Sequence, residues 1–242
     1  MYESAPHPSI PKGGYRLRTS VHCCKVGDVF IFLDLERDRY VSLTPRQSAW
    51  FEDILYSELP ALHGSAPDTL AKHLVDGGLL VRDETLKAPP RLPPTSARYT
   101  FLIGETDCLS RPYLLADIVL LFCALVHTRL VWLRRADLLK VLHKFSRWTQ
   151  YAEAARAAPE ERVIQLTQVF HHLTPYFLTT RDTCFFKSLV LARYLSLRGV
   201  ACRLTFAVRI APFAAHCWLE REGLVLNEQE DIVCAYTPIA SV

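Results

Sequence analysis

Hydrophobic and polar positions in the first part of the chain form short runs with the lengths of strands and then of helices. Three β-rich runs come first, "SVHCCKV", "DVFIFLDL" and "RYVSLT", and residues 36–39 predict the turn before the third. Two proline-led helical patterns follow: "PRQSAWFEDILYSEL" after the N-cap Thr44, and "PDTLAKHLVDGG", which ends at Gly77 and Gly78. The run "LLVRD" returns to a strand. This β-β-β-α-α-β order predicts a winged-helix-like domain over residues 1–86.

The clearest break in the pattern is the proline-rich segment "LKAPPRLPPTSARY". Its four prolines, in a stretch without acidic residues, favour an extended polyproline conformation. The segment predicts a linker over residues 87–99, which separates the first domain from a second domain over residues 100–242.

The second domain begins with helical patterns and then changes period. Three long runs predict helices: "LLADIVLLFCALVHTRLVWL", "RADLLKVLHKFSRWTQYAEAARAA" and "PEERVIQLTQVFHHLTPYF". The first is very apolar, but its charged residues Asp117 and Arg129 leave an uncharged run too short to span a bilayer, so we predict a buried helix. Residues 200–210 alternate and predict a half-buried strand, and a hairpin follows around Arg221–Glu222–Gly223. The pattern indicates an α+β protein.

Composition and charge argue against several classes of function. The net charge of +3 forms no basic stripe, so we expect no nucleic acid, and we consider a membrane role unlikely. The start of the chain does not resemble a secretory signal, which predicts a cytoplasmic protein. The eight cysteines form no CxxC pair and predict reduced thiols, with no metal site and no cofactor. The chain lacks a phosphate-binding loop motif, so we expect no nucleotide site of its own.

One cysteine lies where a nucleophile would be activated. Cys184 falls in the first turn of a predicted helix, which begins at an N-cap residue Asp182 or Thr183 and ends at Gly199. A helix N-terminus favours thiolate over thiol and can bind a developing oxyanion. The nucleophile also needs a base, and His216, on the hairpin that follows, is the candidate.

A third catalytic member depends on the register of the hairpin. A three-residue loop with Gly223 in the left-handed conformation would place Glu228 directly opposite His216. A two-residue loop of Glu222 and Gly223 would instead put Glu228 on the opposite face, as a surface residue. The pattern alone leaves both loops open.

Each of these residues also has a structural interpretation. A cysteine at a helix start is more often structural than catalytic, and His216 and Glu228 could be ordinary hairpin residues. Trp218 shares the face of His216 and either packs or lines a peptide cleft, whereas Cys217 alternates to the other face and is assigned to the core.

Separated motifs of the second domain resemble one family. The shared elements are a Cys-xxx-Ser-Leu spacing and an Arg-Gly pair in "CFFKSLVLARYLSLRGV", then "PFxAHxW" in "RIAPFAAHCWLEREGLVLNE", and a closing "YTP". Together they resemble the leader peptidase domain of lasso-peptide maturation B proteins, a branch of the transglutaminase-like (papain-like) cysteine protease superfamily. The resemblance covers the second domain and is strongest over residues 181–238.

The resemblance implies a cysteine endopeptidase with Cys184, His216 and Glu228 as its catalytic residues. The family usually has aspartate at position 228, so Asp231 is a rival for the third role. Such an enzyme would cleave the leader from the core of a ribosomally made lasso-peptide precursor. A partner cyclase, ATP-using and resembling asparagine synthetase, would then close the ring. The alternatives are a non-catalytic leader-binding adaptor, in which Glu228 marks a decayed triad, and an acyl transferase that uses an amine.

The first domain resembles the precursor-recognition element of these pathways. The resemblance implies that an extended leader peptide adds as a strand to the edge of the small sheet and packs against a helix. The residues implied in peptide binding are Tyr40, Val41, Ser42 and Leu43 on the strand, Leu70, His73 and Leu74 on the helix, and Trp218 in the peptidase.

Overall fold

The computed structural model describes residues 15–56, 64–82, 100–101, 115–134, 137–154, 158–178 and 183–242. The chain divides into two compact units, Met1–Ser96 and Ala97–Val242. The predicted linker over residues 87–99 lies outside the described residues.

The first unit contains two small antiparallel sheets. Strands β2 (Val21–Val26), β3 (Val29–Asp34) and β4 (Arg39–Ser42) form a meander in that order and match the three predicted runs. β1 (Tyr15–Leu17) pairs with β5 (Leu80–Arg82), the predicted returning strand. β1 was not predicted, because three residues carry too little periodicity to identify a strand.

Two helices between β4 and β5 supply most of the remaining core of this unit. In α1 (Pro45–Tyr56), the Thr44 N–H donates to Gln47 Oε1 at 2.9 Å while the Gln47 N–H donates to Thr44 Oγ1, which is a capping box. α2 (Ala66–Asp76) is capped by Ser65, and its apolar face packs on the sheet. The predicted order of these elements is found, with β1 added before it.

The second unit is built around one buried helix. Helices α3 (Leu115–Leu133), α4 (Leu138–Ala154) and α5 (Glu160–Phe177) match the three predicted helical runs, and all three contact α6 (Cys184–Ser196). α6 is buried along most of its length. The predicted nucleophile therefore lies at the first residue of the central helix.

A five-stranded sheet covers α6. The sheet also contains the short strand β6 (Thr100–Phe101), which pairs in parallel with β9 (Leu224–Val225). The order is β10-β7-β8-β9-β6, with β7 (Arg203–Ile210), β8 (Phe213–Arg221) and β10 (Thr237–Ser241) antiparallel to their neighbours. The chain between β9 and β10 forms a short helix, α7, over Glu230–Cys234.

β7 differs from the half-buried strand that its alternation predicts. Leu204 to Val208 are all buried, because both faces of the strand are covered. On one face Phe206 contacts Phe185 of α6, with ring centroids 5.7 Å apart. On the other face Ala207 packs in a cluster with Val233 of α7. The small polar and apolar residues on this face allow it to be buried.

α3 is buried on one face only. The prediction of a buried helix is therefore wrong for its other face. Asp117 is buried and pairs with Arg162 of α5 at 3.0 Å and with Arg198 at 2.5 Å, which ties α3 into the domain. The opposite face exposes large apolar side chains: Leu115, Val119, Phe122, Val126, Leu130 and Leu133. By length and composition alone, α3 is apolar enough to cross a membrane, a test that core helices of soluble proteins also pass.

Candidate active site

Cys184 is the first residue of α6, directly after its N-cap. The N-cap is Thr183, one of the two predicted candidates, and its Oγ1 accepts a hydrogen bond from the Phe186 N–H at 3.3 Å. Asp182 lies outside the described residues. Because helix geometry gives the first N–H groups no intrahelical acceptor, the Cys184 N–H is available to a negatively charged group beside its own thiol.

The hairpin that carries His216 has the shorter of the two predicted loops. Arg221 pairs with Leu224, so Glu222 and Gly223 alone form the turn, with φ of +52° and +87°. Positive φ at both positions is typical of a type I′ turn, which suits the twist of two antiparallel strands. The three-residue loop is therefore wrong.

Glu228 nevertheless reaches the histidine. His216 Nε2 and Glu228 Oε2 lie 2.5 Å apart, and both side chains are largely buried. The pairing arises because β9 ends at Val225 and the chain bends over residues 226–228, so the alternation of a strand no longer applies to Glu228. Asp231, the rival acid, is exposed on α7.

The charges of Cys184, His216 and Glu228 support one another. A hydrogen bond from the Cys217 side chain, opposed by burial and aided by His216, lowers the pKa of Cys184 to about 4. Burial alone would lower the pKa of His216, but Cys184 and Glu228 outweigh it and raise the pKa to about 9. Burial would raise the pKa of Glu228, and the bond to His216 lowers it instead. At neutral pH the site therefore holds a thiolate, an imidazolium and a carboxylate.

The imidazole is oriented by the residues on either side of it. Glu228 occupies Nε2, which leaves Nδ1 as the ring nitrogen for the hydrogen bond with Cys184. The His216 ring also lies 5.4 Å from the Tyr236 ring, between centroids. Together these contacts fix the ring in an orientation that can move a proton to or from a group bound at Cys184.

Sequence reasoning missed three polar residues that surround the nucleophile. Cys217 was assigned to the core and is buried there, but its Sγ lies 3.8 Å from Cys184 Sγ. Asn227 donates from Nδ2 to Ser188 Oγ at 2.9 Å, and its Oδ1 accepts from the Leu219 N–H at 2.7 Å. Two signals were present: Ser188 lies one helical turn after Cys184, and the Cys217 face of β8 must pack on α6.

Trp218 lies under the site and does not line it. Its side chain is fully buried, in a cluster with Ala207, Val225 and Val233. The packing alternative for Trp218 is therefore the one that the structure supports.

The residues of the first unit that are implied in peptide binding divide into three groups by burial. Leu43, Leu70 and Leu74 are buried in the core of this unit, because the apolar stripe of α2 faces the sheet and not the solvent. Ser42 and His73 are exposed, whereas Tyr40 and Val41 are partly buried. Among the described strands β4 pairs with β3 alone.

The structure offers no cluster for a metal ion among the residues it describes. No group of three or more histidine, cysteine, aspartate or glutamate residues there has the arrangement of a metal site. The seven cysteines in the described ranges are free thiols.

A thiolate at the start of a central helix, a histidine on the neighbouring strand and a carboxylate behind it define a site of the cysteine-nucleophile class. A model of the transglutaminase-like superfamily matches residues 120–241, half of the chain, and this range contains the whole site. The chain belongs to the transglutaminase-like superfamily, which includes cysteine peptidases. The chain matches no curated relative and no solved structure.

Proposed function

We propose that the protein is a cysteine endopeptidase that cleaves the leader from the core of a ribosomally made lasso-peptide precursor. The observation that carries the catalytic part is the 2.5 Å contact between His216 and Glu228 beside a thiol whose pKa is lowered to about 4. Membership of the superfamily supports cysteine chemistry. The motifs around Cys184 and His216 that resemble B-protein leader peptidases support the choice of substrate.

The reaction follows from the charges of the resting site. The Cys184 thiolate attacks the scissile carbonyl carbon, and the Cys184 N–H stabilises the oxyanion that forms. The His216 imidazolium gives its proton to the leaving amine, which frees the N-terminus of the core and leaves the leader as a thioester. His216 then takes a proton from water, the hydroxide attacks the thioester, and the leader leaves with a free carboxylate. Glu228 holds the ring and balances its charge throughout.

The first unit is the proposed recognition element, with a winged-helix-like arrangement. An extended leader peptide would add to the edge of β4 that faces away from β3 and meet exposed residues such as Ser42 and His73. Arg39, at the start of β4, donates from Nη2 to the Gly77 carbonyl oxygen at 2.8 Å. This bond holds the edge strand beside the end of α2, so that a peptide on the edge would lie within reach of the helix.

The proposal includes a partner and a location. A lasso cyclase that resembles asparagine synthetase would receive the freed core and activate a core carboxylate with ATP, so this protein would need no cofactor of its own. We place the protein in the cytoplasm, where the thiols of its seven described free cysteines stay reduced.

The test uses a short open reading frame beside this gene as the candidate precursor. The peptide is incubated with the full-length protein and with Cys184→Ala, with and without the neighbouring cyclase and ATP, and intact masses are measured. Cys123→Ala is the matched control, because Cys123 is exposed on α3. We expect leader release by the wild type and the control only. Cleavage by Cys184→Ala at the wild-type rate would refute the mechanism.

The same experiment separates the peptidase from the alternatives. Peptide binding without cleavage, even with cyclase and ATP present, would favour the leader-binding adaptor. A product whose mass shows an amide to an added amine, in place of a free leader carboxylate, would favour the acyl transferase.

A further inference from the structure

We propose that Cys217 is a further catalytic residue, whose buried thiol donates a hydrogen bond to the sulfur of Cys184 and stabilises the nucleophile as a thiolate. The two Sγ atoms lie 3.8 Å apart, and Cys217 is 2% exposed. The inference rests on the proposed role of Cys184 as the nucleophile. It adds a second sulfur to the Cys–His–Glu arrangement.

The direction of this hydrogen bond follows from the surroundings of the two thiols. Cys184 is partly exposed, begins a helix and is hydrogen-bonded to His216, whereas Cys217 is buried on β8, which packs on α6. The bond to Cys184, together with burial, raises the pKa of Cys217 well above its usual value. At neutral pH one sulfur is therefore charged and the other carries a proton, so Cys217 is the donor and Cys184 the acceptor.

Two further residues hold the Cys217 thiol in this direction. Asn227 Nδ2 donates to Ser188 Oγ at 2.9 Å, which leaves the Ser188 hydroxyl proton for its hydrogen bond with Cys217. Ser188 is fully buried, so no solvent competes for that proton. The donors form one series, from the Asn227 amide to the Ser188 hydroxyl, the Cys217 thiol and the Cys184 thiolate. Hydrogen bonds in such a series polarise one another in the same sense. Ser188 and Asn227 are positioning residues.

The donor acts at two points in the reaction. Before attack it favours the thiolate, and so increases the fraction of active nucleophile at neutral pH. When water attacks the thioester, the Cys184 sulfur is the leaving group, and a stabilised thiolate leaves faster. Cys217 thus assists formation of the nucleophile and release of the leader without exchanging its own proton.

The test measures the titration of Cys184 in the full-length protein and needs no peptide substrate. The rate of Cys184 alkylation by iodoacetamide is followed by mass spectrometry across a pH series, for the wild type, Cys217→Ala and Cys217→Ser. Cys202→Ala is the matched control, because Cys202 is another buried thiol in the same unit. Far-UV circular dichroism at each pH establishes that the protein stays folded.

We expect Cys217→Ala to raise the midpoint of the pH dependence of Cys184 alkylation by about one pH unit or more. This shift corresponds to a tenfold loss of thiolate at pH values below the midpoint. Cys217→Ser should stay closer to the wild type, because its hydroxyl can still donate, and Cys202→Ala should not move the midpoint. A folded Cys217→Ala variant with the wild-type midpoint would overturn the inference.

A further variant covers the case in which Cys217→Ala does not fold. Ser188→Ala leaves both sulfurs in place and removes the residue that orients the Cys217 proton, so it should raise the midpoint of Cys184 by a smaller amount. If Cys217→Ala does not fold, a folded Ser188→Ala variant whose Cys184 titrates with the wild-type midpoint would overturn the inference. A wild-type midpoint near that of an ordinary thiol would instead refute the nucleophile itself, and with it the proposed function.

Discussion

Replacing Glu228 by glutamine should lower the cleavage activity, and the loss should be largest at alkaline pH. The amide has the shape of the carboxylate but no charge, so the imidazolium of His216 loses its negatively charged partner at Nε2. The neutral form of the ring is then favoured over the imidazolium, so the pKa of His216 falls. Because leaving-group protonation needs the imidazolium, the variant should lose activity first at alkaline pH.

The magnitude follows from the titration of His216. Its pKa is raised from 6.5 to about 9, against the opposing effect of burial, and the contributors are the hydrogen bonds and charges of Cys184 and Glu228. Loss of the Glu228 contribution lowers this pKa, and each unit by which it falls corresponds to about 1.4 kcal/mol between the two protonation states. For each unit of that shift the imidazolium, and with it the activity, should fall about tenfold at pH values above the pKa of about 9. Loss of ring orientation should lower kcat further at every pH.

The assay is kcat/KM for leader cleavage as a function of pH. For the wild type, activity should rise as Cys184 ionises, with a midpoint of about 4, and fall as His216 loses its proton, with a midpoint of about 9. In Glu228→Gln the alkaline limb should move to lower pH. Asp231→Asn is the matched control, because Asp231 is an exposed acid on α7. An unchanged alkaline limb and kcat in Glu228→Gln would show that the carboxylate does not support His216.

Three further predictions concern the thiol, the loop and the edge strand. Near pH 6 Cys184 should be alkylated by iodoacetamide faster than any other described cysteine, because its lowered pKa makes it a thiolate there; uniform labelling would contradict that lowered pKa. Asn227→Ala should lower the free energy of unfolding by about 1–3 kcal/mol, measured by urea denaturation, because the Leu219 N–H loses its acceptor. It should also lower kcat, since Glu228 follows Asn227 directly; a stability loss with normal kcat would show that this bond does not position Glu228. Ser42→Pro should weaken leader affinity, measured by fluorescence anisotropy, and leave Cys184 alkylation unchanged, whereas Ser42→Ala should leave both unchanged. Equal affinity in both variants would exclude the β4 edge as the binding surface.

Most elements of the fold could be predicted from local pattern, and the failures have physical causes. Helix α6 and its Thr183 cap follow from side-chain chemistry within a few residues. The burial of both faces of β7 does not, because α7 covers the second face from a distant part of the chain. Periodicity reports the burial of a strand only when one face meets solvent.

The candidate site, like the fold, could be predicted only where local properties of the chain determine it. Cys184 and His216 could be identified from type and spacing, since a helix start and a strand position are local properties. The acid could not be derived from register, because the loop has two residues and Glu228 lies beyond the end of β9. The contact between Cys217 and Cys184 depends on how closely β8 packs on α6, which no pattern of residues specifies.

The exposed apolar face of α3 affects how the protein should be handled at the bench. Its six large apolar side chains lie on one helix face and in contact with solvent. Salting-out agents such as ammonium sulfate strengthen the association of apolar surfaces, so they favour aggregates that join through this face. Dilute stocks with a mild non-ionic detergent would keep the preparation monodisperse. Light scattering at the assay concentration should therefore accompany every kinetic comparison between variants, to establish that neither protein is aggregated.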